Sequence, residues 1–304
     1  MNRLEVRDLP RLPKRRPDAH KGDFGHVFII AGSRGMAGAG CLAAMGALRS
    51  GAGLVTVGCP ESLYPIMAGK LTEAMTLPLP ETSGGALAER ALEPALKFAE
   101  KCTVVAVGPG LGQGEETAAF VRGLAERVDH VLIVDADGLN AFSGRAKDFA
   151  GRKGPTLITP HPGEMGRLVG KTAAEVQMNR EGVAAEFAAR FEAFAVLLKG
   201  AGTLVAEKDR LFVNATGNPG MATGGSGDVL TGVSAALVGQ RLDHFEAGAL
   251  GAHIHGLAGD LAARRFGQIS MIAGDLVESL PAAFENYRTT SVLPARRPAN
   301  RKPE

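Results

Sequence analysis

The sequence predicts an α/β fold, with a mainly parallel central sheet and helices packed on both of its faces. Three observations carry this. Short apolar runs recur along the chain, the runs are continuous rather than alternating, and segments with helical spacing lie between them. A strand covered on both faces buries both rows of its side chains and so reads as an unbroken apolar run. Strands alternating with helices are the pattern of crossover connections in a parallel sheet.

Taken in chain order, the first strand is expected over 27–30, Val27-Phe28-Ile29-Ile30. The Ala-rich stretch 37–50 follows as a helix and stops at Gly51, where glycine suits the left-handed position after a helix. Further strands fall at 54–57, 104–107, 131–134, 156–158 and 195–198, with helices over 86–101 and 115–128 between them. A helix over 173–192 is announced by Thr172-Ala173-Ala174-Glu175, the pattern in which a threonine and a glutamate cap each other's backbone N–H groups. Residues 204–206 and 211–213 flank the charged turn Glu207-Lys208-Asp209-Arg210 and read as a hairpin. Helices over 228–239, 245–266 and 274–287 complete the set. Composition changes only at the tails. The expected organisation is therefore a basic N-terminal arm (1–20), one catalytic domain (21–287) and a basic C-terminal tail (288–304), both tails solvated.

The bulk numbers exclude several classes. Of 304 residues, 45% are apolar and 22% charged, a globular composition. Seven Lys/Arg against three acids give residues 1–22 a charge of +4, and five against one give 288–304 the same; the whole chain is +2, so the body carries −6. An acidic body argues against a nucleic-acid surface. Three scattered cysteines make no disulfide framework or Cys-rich zinc site and suit a reducing cytoplasm. Residues 1–22 lack the apolar core of a signal peptide, and no uncharged apolar stretch reaches 18 residues, so no membrane span is expected.

Glycine stands out at 41 residues, about twice the usual share of roughly 7%. There is no Gly-X-Y period, which excludes collagen. Many glycines instead follow expected strands: Gly32 and Gly35, then Gly108, Gly110 and Gly112, then Gly138, then Gly200 and Gly202. Ligands of open parallel sheets bind beyond the carboxyl ends of the strands, so these glycines mark a rim where backbone approaches a ligand.

The segment with most chemical content runs from Asn214 to Asp228 and contains Gly224-Gly225-Ser226-Gly227-Asp228 ahead of an apolar helix. A Gly-rich loop entering a helix presents backbone N–H groups and the positive end of the helix dipole, which together suit a phosphate. Asp228 in the first turn either complements the dipole or serves as a proton acceptor beside that phosphate. The spacing Gly220-x-x-x-x-Gly225 imitates a Walker A loop, but Ser226-Gly227 replaces its Lys-Ser/Thr. Gly108-Pro109-Gly110-Leu111-Gly112 is not a dinucleotide fingerprint either. Three further strand-end segments carry candidates: Asp135-Ala136-Asp137-Gly138-Leu139-Asn140, Thr159-Pro160-His161-Pro162-Gly163-Glu164 and Lys199-Gly200-Ala201-Gly202-Thr203. Each also has a plain structural reading, as a helix cap, a turn histidine or an isolated lysine. His253-x-His255 falls on a helix, where such spacing points to different sides, so packing is preferred over metal binding.

Together with Lys21-Gly22-Asp23-Phe24-Gly25-His26, Ala31-Gly32-Ser33 and Leu48-Arg49-Ser50-Gly51-Ala52-Gly53-Leu54-Val55-Thr56, these segments resemble the ADP/ATP-dependent NAD(P)H-hydrate dehydratases, a branch of the ribokinase-like superfamily. They run in family order over about residues 20–285. The resemblance implies a three-layer αβα sandwich and the stand-alone dehydratase form, because about 20 residues precede the first expected strand. It implies restoration of NAD(P)H from its hydrate by phosphorylating the ring hydroxyl and eliminating phosphate. Carried over by motif, the catalytic group is Asp228 with Gly225, Ser226 and Gly227 as the anion cradle. Contacts to the hydrate (NADHX or NADPHX) fall on Ala39, Gly110, His161 and Asp228. Nucleotide contacts fall on Lys199, Gly200, Ala201, Gly202, Thr203, Asn218, Gly224 and Gly227. The loop from Asn218 to Gly224 suggests ADP rather than ATP as donor. Mg²⁺ is implied, with Asp135 and Glu164 as candidate ligands. A homotetramer in the cytoplasm, working with a separate NAD(P)H-hydrate epimerase, is also implied. Two other classes compete: a ribokinase-like kinase of a small alcohol, such as a hydroxyethylthiazole or pyridoxal kinase, and a non-catalytic nucleotide-binding regulator.

Overall fold

Ten strands form one sheet in the computed structural model, which describes residues 1–290. The strands are β1 (Asn2–Leu4), β2 (His26–Ile30), β3 (Leu54–Pro60), β4 (Met75–Leu79), β5 (Val104–Val107), β6 (Val131–Val134), β7 (Thr156–Ile158), β8 (Phe194–Leu198), β9 (Leu204–Ala206) and β10 (Arg210–Val213). Their order is β1-β10-β9-β8-β7-β6-β5-β2-β3-β4. From β8 to β4 every neighbouring pair is parallel, and β9 is antiparallel to both β8 and β10.

The helices are α1 (Ala37–Arg49), α2 (Tyr64–Lys70), α3 (Leu92–Ala99), α4 (Glu115–Arg127), α5 (Ala136–Asn140), α6 (Pro162–Val169), α7 (Ala173–Met178), α8 (Arg180–Ala188), α9 (Ser226–Gly239), α10 (His244–Ser270) and α11 (Ala273–Thr290). Successive strand residues feed two separate cores, because side chains alternate across a sheet. Val27 and Ile29 join one core with α1, α9, α10 and α11, while Phe28 and Ile30 join the other with α3, α4, α6 and α8. This is the three-layer sandwich. No helix among the described residues is long and apolar enough to cross a membrane.

Helix α9 is buried on nearly every side, since it lies between the sheet, α1 and α10. Its approach to α1 is close enough to demand glycine. A Cβ at Gly232 would stand 1.9 Å from the Ala43 carbonyl oxygen, and one at Gly46 would stand 2.6 Å from that of Val229.

Several expectations needed correction. Residues 1–20 are not a free solvated arm. Residues Asn2–Leu4 pair in parallel with β10, Leu9 is buried, and Tyr287 Oη donates to the carbonyls of Leu9 and Pro10 at 3.2 Å. Arg15 stacks over the Phe24 ring at 3.7 Å and donates to the Gly51 carbonyl at 2.8 Å. Basic residues dock here because an arginine's planar fork and apolar stem bind ring and carbonyl alike. Of the expected C-terminal tail, Arg288 lies in α11 and residues 291–304 lie outside the described residues. The helix expected over 173–192 is two helices, because Asn179 leaves the helical region (φ −140°, ψ 57°) and caps α8 through Gly182 N at 3.2 Å. The helix expected over 86–101 is only Leu92–Ala99, with Pro94 in its first turn, where the missing N–H costs nothing. Strand β4 was missed; it is an edge strand, partly exposed and carrying Pro78, as edges tolerate.

Candidate active site

The sheet reverses its winding between β2 and β5, and the loops leaving these two strands meet there. Gly32 N donates to the Pro109 carbonyl at 2.9 Å, and Ser33 Oγ to the Gly110 carbonyl at 2.8 Å. Such a reversal opens the crevice used by ligands of open α/β sheets. Ala39, in the first turns of α1, reaches the same place: a Cβ on Gly110 would lie 3.0 Å from that of Ala39. The two expected hydrate contacts that are far apart in sequence are thus neighbours.

The ends of β6, β7 and β8 bring in charge. Asp135, 1% exposed, follows β6. Its Oδ1 accepts from Lys199 Nζ at 2.7 Å, and its Oδ2 from Thr231 Oγ1 at 2.8 Å. Asp137 faces the other way, accepting from Gly112 N at 2.9 Å and from the amides of Gln113 and Asn140. His161 caps α6: its Nδ1 accepts from Gly163 N and Glu164 N at 3.0 and 3.3 Å, and its own N donates to Glu164 Oε2 at 2.7 Å. Nδ1 is therefore the unprotonated ring nitrogen, and Nε2 lies 3.3 Å from Glu164 Oε1. Burial holds this imidazole below its ordinary pKa, against the pull of Glu164. Glu164 Oε2 also lies 3.7 Å from Lys199 Nζ.

Burial alone would pull the Lys199 ammonium down, but Asp135 and Glu164 outweigh it and hold it above its ordinary value. The lysine therefore stays charged between two buried carboxylates. This bears on the two candidate metal ligands. Lys199 already stands between Asp135 and Glu164, and no group of three or more acids, histidines or cysteines among the described residues is arranged to hold a metal. Both candidate carboxylates therefore already share a cation, the Lys199 ammonium.

Helix α9 supplies the remaining parts. Its N-cap, Gly225, is left-handed (φ 88°), and no side chain caps the first turn, as is also true of α1, α3, α4 and α5. A helix start left uncapped by protein side chains is a ready anion site. Gly227 lies beside the lysine: a Cβ there would be 3.4 Å from Lys199 Nζ. The Ser226 carbonyl accepts from His255 Nε2 at 2.9 Å, a support that sequence reasoning did not identify. Burial drives the His255 pKa down to about 4, so this imidazole is neutral. His253 points elsewhere, against the Tyr287 ring at 5.6 Å, as i, i+2 spacing predicts. Asp228 is pushed up to about 7 by burial first and then by the charge of Asp135, with Lys199 opposing. A carboxyl poised near neutrality beside an anion site can take up and release a proton during turnover.

Asn218 has a local task. Its Oδ1 accepts from Gly220 N and its Nδ2 donates to Asp260, which also receives Gly217 N, so it fixes the loop before α9. Gly224 is exposed at the turn into the helix. Residues 199–203 form a tight loop in which Gly200 and Gly202 take positive φ and Thr203 Oγ1 donates to the Gly200 carbonyl at 2.9 Å.

A sandwich of this topology, with a glycine-opened helix start and a half-buried carboxyl in its first turn at the sheet rim, is that of the ribokinase-like class. A solved ribokinase-like superfamily protein from Enterococcus faecalis superposes with a TM-score of 0.78 at 25% identity, covering 94% of this chain and 95% of that one. Within that class the chain belongs to the NAD(P)H-hydrate dehydratase family, whose profile matches residues 27–282. The bifunctional NAD(P)H-hydrate repair enzyme Nnr of Moorella thermoacetica is 49% identical over 277 residues, which is 91% of this chain and 52% of that protein. The chain thus spans about half the length of the curated relatives it matches. The ADP/ATP-dependent NAD(P)H-hydrate dehydratase of Bacillus subtilis, crystallised with ATP and Mg²⁺, superposes with a TM-score of 0.79 at 31% identity, covering 93% of this chain and 96% of that one.

Proposed function

We propose that this chain dehydrates the S-epimer of NAD(P)H hydrate back to NAD(P)H at the expense of a nucleotide phosphate, with ADP as the preferred donor and ATP as the alternative. The observation that carries this reading is Asp228, held near pKa 7 in the first turn of a helix whose start no side chain caps. Family membership and the Bacillus subtilis structure support the substrate and the donor.

In this mechanism the ring hydroxyl of the hydrate attacks the terminal phosphorus of the nucleotide. Asp228 takes the hydroxyl proton as the new C–O–P linkage forms and the P–O bond to AMP (or ADP) breaks. The backbone of Gly224 to Gly227 and Lys199 face the negative charge that spreads over the transferred phosphoryl group. Hydroxide leaves poorly and phosphate leaves well. The ring-nitrogen lone pair then expels phosphate, and loss of the adjacent C–H proton restores the dihydronicotinamide double bond. The sum is hydrate plus ADP giving NAD(P)H, AMP and phosphate. Mg²⁺ would enter with the nucleotide and screen its phosphates, since the two candidate ligands, Asp135 and Glu164, are engaged by Lys199, Thr231 and the His161 backbone. Ala39, Gly110 and His161 would contact the hydrate. The name "bifunctional" carried by relatives about twice as long supports a partner activity, which we assign to an NAD(P)H-hydrate epimerase.

The test is direct. The protein is incubated with hydrated NADH or NADPH, Mg²⁺ and ADP or ATP, and the dihydronicotinamide absorbance is followed. Recovery with stoichiometric phosphate release is expected. No recovery with either nucleotide would sink the reading, and a stable phosphorylated product would favour a small-alcohol kinase.

A further inference from the structure

One cation near the site has no role in the mechanism above. Arg180 opens α8, where a positive charge opposes the helix dipole. Its guanidinium turns back onto the loop after β8. It donates to the carbonyls of Leu198 at 2.9 Å, Lys199 at 3.2 Å and Gly202 at 3.3 Å, and to Gln177 Oε1 at 3.0 Å. None of these four oxygens carries a formal charge, so a half-buried cation has four hydrogen-bond partners and no ion-pair partner among them.

The peptide geometry gives this a consequence. In a trans peptide the C=O of one residue and the N–H of the next point in opposite directions, and no peptide bond among the described residues is cis. Pinning the Lys199 and Gly202 carbonyls on the guanidinium therefore aims the N–H groups of Gly200 and Thr203 away from it. The loop can wrap the guanidinium only with glycine at position 200, whose φ is 136° and whose Cβ would lie 2.9 Å from Arg180 Nη1.

We propose that Arg180 is a positioning residue for the nucleotide: it locks residues 198–202 so that the Gly200 and Thr203 N–H groups are presented to a nucleoside di- or triphosphate, and it sets an uncompensated positive charge behind them. This deepens the proposed function and rests on its assignment of residues 199–203 to the nucleotide. Arginine suits the task because its planar fork reaches several acceptors at once, which an ammonium cannot.

The experiment titrates ADP and ATP into wild type, Arg180→Lys and Arg180→Met by calorimetry, with no hydrate present. Both variants are expected to bind at least tenfold more weakly, with the folded circular-dichroism spectrum retained. With hydrate added, the nucleotide KM should rise while the hydrate KM stays within twofold. Affinity within twofold of wild type in folded variants, or full rescue by lysine, overturns the proposal. Amide relaxation on the wild type decides the matter if neither variant folds: order parameters of Gly200 and Thr203 near about 0.85 are expected, and values below about 0.6 overturn it. Wild-type nucleotide binding without hydrate turnover would sink the dehydratase reading alone; no nucleotide binding by the wild type would sink both.

Discussion

Lys199 Nζ lies 2.7 Å from Asp135 Oδ1, while Thr231 Oγ1 holds the other oxygen of the same carboxylate at 2.8 Å. Asp135 thereby ties the end of β8 to the helix that carries Asp228. Removing one partner of a buried ion pair leaves the other uncompensated, at a cost of about 3–5 kcal/mol. Asp135→Asn should therefore lower unfolding free energy by an amount on that order, read from urea melts at pH 7.5. It should also move the Asp228 titration to lower pH, because one negative neighbour is lost and the lysine charge is released. An unchanged pH-rate profile would refute the coupling.

Asp228→Asn should retain nucleotide binding and lose at least about 10²-fold in turnover, the usual contribution of a positioned base. Stability should change in the opposite sense. The folded-state pKa, raised to about 7, exceeds the unfolded value of about 3.9. Between these values the native state holds the extra proton, so stability falls as pH rises through the window, and the penalty is complete above pH 7. The variant should melt several degrees above wild type at pH 8, a gain on the order of 1–3 kcal/mol, and about equal to it at pH 4. A variant no more stable at pH 8 would mean that Asp228 is not strained in its charged form.

The pH dependence of the wild type follows from the same group. Proton abstraction needs the carboxylate, so kcat/KM should rise with pH through an acid limb with an apparent pKa of about 7. His255, already neutral with a pKa of about 4, should add no limb between pH 5 and 9. A flat profile across pH 5–8 would remove Asp228 from its role.

Packing at the α1–α9 crossing sets the position of the base. Gly232→Ala gains at most about 1 kcal/mol of helix propensity but drives a methyl against the Ala43 carbonyl, and backbone clashes of this kind cost about 1–3 kcal/mol or more. A net loss of stability is expected, accompanied by a fall in kcat as α9 shifts. Thermal melts and single-turnover rates of the variant check both; unaltered values would mean the helices can separate freely.

Much of the fold was legible because buried parallel strands write continuous apolar runs, and the runs at 27–30, 104–107 and 131–134 coincide with β2, β5 and β6. The short edge elements β1 and β4 carry no such run. Strand β1 is only three residues long, and β4 is partly exposed on its outer side. The candidate site was legible where a loop and helix start share a local pattern, as in Gly224 to Asp228. The contacts of Thr231, Arg180 and His255 left no pattern, since each acts on a residue far away in sequence: Asp135, the loop after β8 and Ser226. The place of Arg180 at a helix N-terminus, against the dipole, became visible only once the expected single helix proved to break at Asn179.

By itself, the sequence determined the α/β class, the glycine-lined rim and the glycine-rich opening of α9, since backbone conformation and burial leave their mark on neighbouring residues. The tertiary structure alone decided which charges meet. It put Lys199 between Asp135 and Glu164, where a metal ion had been the sequence-based candidate, and it raised Asp228 to about 7. Electrostatic interactions depend on distance and burial in three dimensions, and neither is carried by the order of residues along a chain.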